Sequence, residues 1–208
     1  LNSAFDGITG NTDDYYPEAL RPRIEEVNAR IYDTVNNGVY KSGFASSQEA
    51  YDDAVTALFD SLDWIEGLLA EKRYLTGDRI TEADWRLFTT LIRFDKVYHT
   101  HFKCNRTQIV NFPNMWGYLK ELYQWPGVAD TVRFDHITRH YYYSHDHINP
   151  NRIVPITARL DLDAPVWAYV GDYPPHGAGI TARHGPQRAA RDARVAAHVE
   201  ADPRCGPF

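Results

Sequence analysis

Side chains able to do chemistry gather in three places. The first is a histidine group, His136, His140, His145 and His147, with Asp146 among them. His136 and His140 are four residues apart, so on a helix they share a face, as zinc ligands sometimes do. No Glu follows His136 to complete an HExxH pattern, and no cysteine lies nearby. A polar helix end with surface histidines is the better reading, and no metal is expected. The second place is His99-Thr100-His101-Phe102-Lys103-Cys104. Lys103 beside Cys104 could lower a thiol pKa. A lone cysteine among aromatic residues is more often a small packing residue. The third is a tyrosine set, Tyr40 and Tyr141-Tyr142-Tyr143. A phenol offers both a donor and an acceptor, although most tyrosines only pack. No GxSxG, phosphate-binding glycine loop or CxxC is present, so no complete catalytic engine can be assembled from these residues alone.

The elements that must position these groups read as helices. Leu20, Ile24, Val27, Ile31 and Val35 recur at three to four residues, one apolar stripe. Pro17 suits a first helical turn. Asn36-Asn37-Gly38 weakens this helix near its end, which places Tyr40 in a loop leading to Gly43. Ser46 followed by Glu49 has the spacing of a capping box. Tyr51, Val55, Leu58, Leu62, Ile65 and Leu69 then mark one face, with Asp52, Asp53, Asp60 and Asp63 elsewhere. Thr81 is an N-cap with Asp84 three residues on, and Ile80 can pack on Trp85 as a hydrophobic staple. Trp85, Phe88, Leu91 and Ile92 are expected core residues. Shorter helices are expected over 113–124, 127–133 and 135–145. The run 152–163 alternates only partly and holds Pro155, which predicts an extended arm rather than a strand.

Composition bounds the rest. The 208 residues carry 22 Lys+Arg against 28 Asp+Glu, a net −6, which disfavours a nucleic-acid binder. No apolar run approaches the roughly 20 residues of a membrane span. The N-terminal residues lack the basic and apolar regions of a signal peptide. Two cysteines cannot build a disulfide framework and fit a reducing, cytoplasmic setting. The chain opens on Leu1 rather than Met, so processing or a longer parent protein is expected. Composition shifts near residue 164. Residues 165–208 hold no Lys and no Leu, and 25 of the 44 are Ala, Gly, Pro or Arg. Such a segment buries too little to offset its ordering entropy, so an irregular tail is expected after an all-α domain over 1–164.

Several segments together resemble one family. Asp14-Tyr15-Tyr16-Pro17, the run from Ile31 to Ala45 (IYDTVNNGVYKSGFA), and Ser47-Gln48-Glu49-Ala50-Tyr51 are similar to glutathionyl-hydroquinone reductases. These are the xi-class glutathione transferases, near the omega class. Arg73-Tyr74-Leu75-Thr76-Gly77, Thr81-Glu82-Ala83-Asp84, the run VYHTHFKC from Val97, Phe134-Asp135-His136-Ile137 through His140-Tyr141, and Ile148-Asn149-Pro150 extend the likeness over about 1–164. From Val166 onward the sequence departs from the family.

The resemblance implies a glutathione transferase C-terminal-like helical bundle. It implies a two-domain enzyme whose thioredoxin-like domain, absent from this sequence, binds glutathione and carries the nucleophilic cysteine in a Cys-Pro-Trp motif. Neither Cys104 nor Cys205 matches that cysteine, so no catalytic residue is expected in this chain. The tyrosine after NNGV and the one after FDHI…H hold the hydroquinone oxygens in the family, which assigns substrate binding to Tyr40 and Tyr141. The implied reaction removes glutathione from a glutathionyl-hydroquinone, with glutathione as co-substrate and no metal. The implied assembly is a homodimer. The competing expectation is a stand-alone helical module that binds a ligand or partner without catalysis. The reading frame upstream of Leu1 discriminates the two.

Overall fold

The computed structural model describes residues 2–10, 12–157, 159–164 and 166. The expected tail, 165–208, lies outside these residues except for Val166. Among the described residues there are helices and no strand, and an isolated bridge pairs Tyr74 with Gly77. The helices are α1 (Asp6–Thr9), α2 (Arg21–Ile31), α3 (Gly38–Gly43), α4 (Gln48–Glu71), α5 (Glu82–Arg93), α6 (His99–His101), α7 (Pro113–Tyr123), α8 (Val128–Thr131) and α9 (Phe134–Ser144).

The apolar stripe of the first long helix does what its spacing requires. Ile24, Val27, Ile31 and Val35 are fully buried. The helix does not stop where Asn36-Asn37-Gly38 was expected to weaken it. The chain passes through a single π turn, Tyr32–Asn36, and resumes as α3. Tertiary contacts override the local propensity here. The Asn36 amide donates to the Arg86 carbonyl at 3.2 Å and to Thr90 Oγ1 at 2.6 Å, so it does not compete with its own backbone. Gly38 is buried against Leu58 of α4, where a Cβ would make ordinary contact at 3.6 Å. Tyr40 therefore stands on a helix, not on a loop.

The cap of α4 is Ser47, one residue later than the expected Ser46. Its hydroxyl accepts from the Ala50 amide at 3.1 Å. Leu58, Leu62, Ile65 and Leu69 are buried, and the four expected aspartates are exposed. In α5 the predicted capping box is present, with Asp84 Oδ2 accepting from the Thr81 amide at 2.7 Å. Phe88, Leu91 and Ile92 are buried, while Trp85 stays half-buried, edge-on to Tyr15 and Trp125. A second π turn, Phe94–Tyr98, joins α5 to α6. The three later helices appear within a residue or two of the expected bounds.

The extended arm is unpaired with any strand and tied down by side chains. Lys96 Nζ donates to Thr157 Oγ1 at 3.0 Å. The Gln124 amide donates to the Leu162 and Ala164 carbonyls at 2.7 and 2.9 Å, and Leu162 is buried.

One close approach fixes the end of α3. A Cβ on Gly43 would stand 2.3 Å from the ring of Phe102, a fully buried residue. Gly43→Ala forces that ring to move in a filled core, which costs about 1–3 kcal/mol. Thermal denaturation is expected to show the loss. A midpoint equal to that of the parent chain would mean that the ring has room to yield.

Candidate functional site

Two widely separated tyrosines meet. Tyr40, from α3, and Tyr141, from α9, have hydroxyls 2.6 Å apart although 101 residues separate them. The two tyrosines that the family resemblance singled out are thus in contact. A third tyrosine joins it. The Tyr98 hydroxyl lies 2.7 Å from that of Tyr141, so three phenols form a chain. Tyr98 ends the π turn that follows α5. Sequence reasoning quoted Tyr98 within VYHTHFKC but gave it no role. The signal was its place three residues before His101 in an aromatic-rich run.

Burial orders the donors along this chain. Tyr98 is 3 % exposed and Tyr141 7 % exposed, whereas Tyr40 is half-buried. Each phenol has one proton. If Tyr98 donates to Tyr141 and Tyr141 to Tyr40, the spare O–H belongs to Tyr40. The reverse order would leave a spare proton on the most buried hydroxyl, at a desolvation cost. Burial and the bond to Tyr40 push the Tyr141 pKa up to about 12. Burial raises Tyr98 further still. Both remain protonated near neutral pH and act as neutral hydrogen-bonding groups.

Aromatic rings hold the phenols in place. Phe102 stacks on Tyr98 at 5.6 Å and lies 5.3 Å from Tyr40 and 5.9 Å from Tyr141. Such ring pairs contribute about 0.5–1.5 kcal/mol beyond simple burial. Tyr40 and Phe44 line a groove of about 770 Å³ that runs between α3 and the first turns of α4, with Lys41, Ala50, Asp53 and Ala54 on its walls. Volumes of this size suit small ligands.

The other sequence candidates resolve differently. His136 and His140 are exposed on α9. His145 and His147 turn the other way, each 5.2 Å from the Phe44 ring. Among the described residues no three His, Cys, Asp or Glu side chains are grouped to hold a metal ion. Cys104 is fully buried, and burial pushes its thiol up to about 12, so Lys103 does not activate it. Its sulfur lies 3.9 Å from the Val39 carbonyl, in the packing role. Cys205 lies outside the described residues.

Comparison with known proteins gives this helical unit a family. Residues 48–121 match the family described as glutathione S-transferase, C-terminal domain. Glutathionyl-hydroquinone reductase YqjG of Escherichia coli is 56 % identical over 165 residues, 79 % of this chain and 50 % of that protein. The chain carries a C-terminal helical domain of the xi-class glutathione transferase family. Glutathionyl-hydroquinone reductase PcpF of Sphingobium chlorophenolicum is 52 % identical, over 75 % of this chain and 50 % of its own length. The structure of YqjG with glutathione bound superimposes with a TM-score of 0.77, covering 79 % of this chain and 53 % of that one. A xi-class transferase from Natrialba magadii also gives 0.77, at 51 % identity, covering 79 % of this chain and 50 % of its own. The chain spans about half the length of the curated relatives it matches. Among the described residues of this xi-class domain, no helix is long and apolar enough to cross a membrane.

Proposed function

We propose that this chain supplies the substrate-binding helical half of a glutathionyl-hydroquinone reductase, which converts glutathionyl-hydroquinones to hydroquinones with glutathione as the reductant. The observation that carries the reading is the Tyr40–Tyr141 contact beside an open groove, in a domain whose relatives are named for this reaction. A thioredoxin-like domain outside these residues brings the nucleophilic cysteine. The assembled enzyme works as a homodimer in the cytoplasm, without a metal.

The chemistry divides between the two halves. The cysteine thiolate attacks the glutathione sulfur, the aryl C–S bond breaks, and the ring carbon takes up a proton as hydroquinone leaves. A second glutathione thiolate then attacks the mixed disulfide, releasing glutathione disulfide and restoring the cysteine thiolate. This half of the protein binds the leaving group. Negative charge grows on the hydroquinone as the C–S bond breaks, and the spare Tyr40 proton can donate to an oxygen of that ring. The hydroxyl chain behind Tyr40 keeps the donor oriented without a change of charge.

This chain alone is expected to show no glutathione-dependent turnover of a glutathionyl-hydroquinone, because Cys104 is buried and protonated. The assay is purified chain, glutathione and the conjugate, followed by chromatography of the hydroquinone. Turnover that disappears in Cys104→Ser would overturn the assignment and make Cys104 a nucleophile.

A further inference from the structure

Helix α9 ends one turn after Tyr141, and its last carbonyls need partners from outside the helix. Asn149 takes one, donating its amide to the Tyr142 carbonyl at 2.8 Å. His101, the last residue of α6, packs against the same helix end. Its ring nitrogen Nε2 lies 3.0 Å from Nδ1 of His145, the residue that closes α9. While both rings are neutral, one nitrogen of this contact carries the proton and the other accepts it. His101 is 4 % exposed and also packs on the Tyr142 ring at 4.5 Å. His145 continues into the site, 5.2 Å from Phe44 and 5.7 Å from Tyr141.

We propose that His101 and His145 form a titrating clamp that positions Tyr141, holding the C-terminal end of α9 in place while the pair is neutral and loosening it when the pair takes up protons. This rests on the reading of Tyr141 as a substrate-contacting residue for its functional meaning, though not for its geometry. Two protons on the pair would turn Nε2 and Nδ1 into opposed donors at 3.0 Å, so the contact breaks. The groups acting on the two rings add to this. His147 and Lys103 act on His101, and His147 and His140 on His145, and all are basic. Burial, reinforced by these neighbours, lowers His101 to about 4 and lowers His145 as well. Both pKa values thus lie below the ordinary histidine value near 6.5. Between the folded and ordinary values the unfolded chain binds more protons, so the clamp's contribution is complete above about pH 6.5 and is lost as the pH falls toward 4.

The test places 3-fluorotyrosine in the full chain and follows the ¹⁹F resonance of Tyr141, assigned with Tyr141→Phe, from pH 7.5 to 4 with far-UV circular dichroism alongside. The expected result is a shift of that resonance at a pH where the dichroism is still native. His101→Phe keeps the ring volume and is expected to displace the resonance at neutral pH and abolish its pH response. His101→Gln keeps a donor and an acceptor but does not titrate, and is expected to restore the neutral position with a flat pH profile. If His101→Phe does not fold, His145→Phe takes its place with the same expectation of a lost titration. A resonance that moves only with the unfolding transition, or that keeps its position and titration in the folded variants, would overturn the proposal. Kinetically silent tyrosine variants of the assembled enzyme would instead sink the substrate reading and leave the clamp standing.

Discussion

Tyr40→Phe and Tyr141→Phe are each expected to lower kcat/KM about 10- to 1000-fold once the chain is joined to its thiol-bearing partner domain. The range corresponds to about 1–4 kcal/mol of lost transition-state stabilisation, the usual cost of removing one donor aimed at developing charge. Phenylalanine keeps the ring, so packing against Phe102 survives and only the hydroxyl is lost. The two variants should differ in stability. Tyr40 is the outer end of the hydroxyl chain, and its removal still leaves Tyr141 bonded to Tyr98. Tyr141 is the middle link, bonded to both neighbours. Its removal leaves the buried Tyr98 hydroxyl unpaired, at about 1–3 kcal/mol. The double variant should be less impaired than the two single effects combined, because the hydroxyls act through one another. The measurement is steady-state kinetics with a glutathionyl-hydroquinone, paired with thermal denaturation. Parent-like kcat/KM in both variants would remove these tyrosines from the site.

Asp84→Ala is expected to cost at least about 3 kcal/mol of stability. Asp84 is fully buried at the start of α5 and accepts from the Leu75 amide at 3.0 Å, the Thr81 amide at 2.7 Å, the Thr81 hydroxyl at 3.1 Å and the Tyr118 hydroxyl at 2.9 Å. A single helix cap is worth about 1 kcal/mol. Here one carboxylate caps α5, fixes the turn before it and anchors α7 through Tyr118. Each donor left unpaired in the interior adds a desolvation cost of about 1–3 kcal/mol. For a chain of this size, 3 kcal/mol lowers the melting midpoint by roughly 6–12 °C. A midpoint within a degree or two of the parent would show that water or rearrangement replaces the carboxylate.

The helices were legible because their signals are local. The stripe at Ile24, Val27 and Ile31 and the Thr81–Asp84 box each lie within a few residues and recur in the structure as read. The cap of α4 slipped by one residue because Ser46 and Ser47 are both competent, and local chemistry does not rank them. Tyr40 was placed on a loop because Asn36, Asn37 and Gly38 disfavour helix in isolation. What keeps the helix going is Asn36 reaching α5 and Gly38 reaching α4, and neither contact has a trace in neighbouring residues. The tyrosine pair came from family likeness, since no periodicity links positions 101 residues apart. Tyr98 and the His101–His145 contact were missed for the same reason. They are defined by what three helix ends bring together.

The π turn at Tyr32–Asn36 has an effect on phase. A regular α-helix advances each residue by about 100°, so apolar positions drift off a straight seam within a few turns. The buried positions here are Ile24, Val27, Ile31, Val35 and Val39, and after the first step each is four residues from the last. A wider turn lets that four-residue rhythm stay in line. It works as a one-residue insertion that resets the helix's angular reading frame. Removing one residue from the turn would restore ordinary winding and swing every downstream side chain by roughly 100°. Tyr40 would then leave the groove without any change to its own neighbours in sequence. The second π turn, at Phe94–Tyr98, sets the angle of Tyr98 in the same way, so the aim of two of the three hydroxyls depends on residue count as much as on residue type.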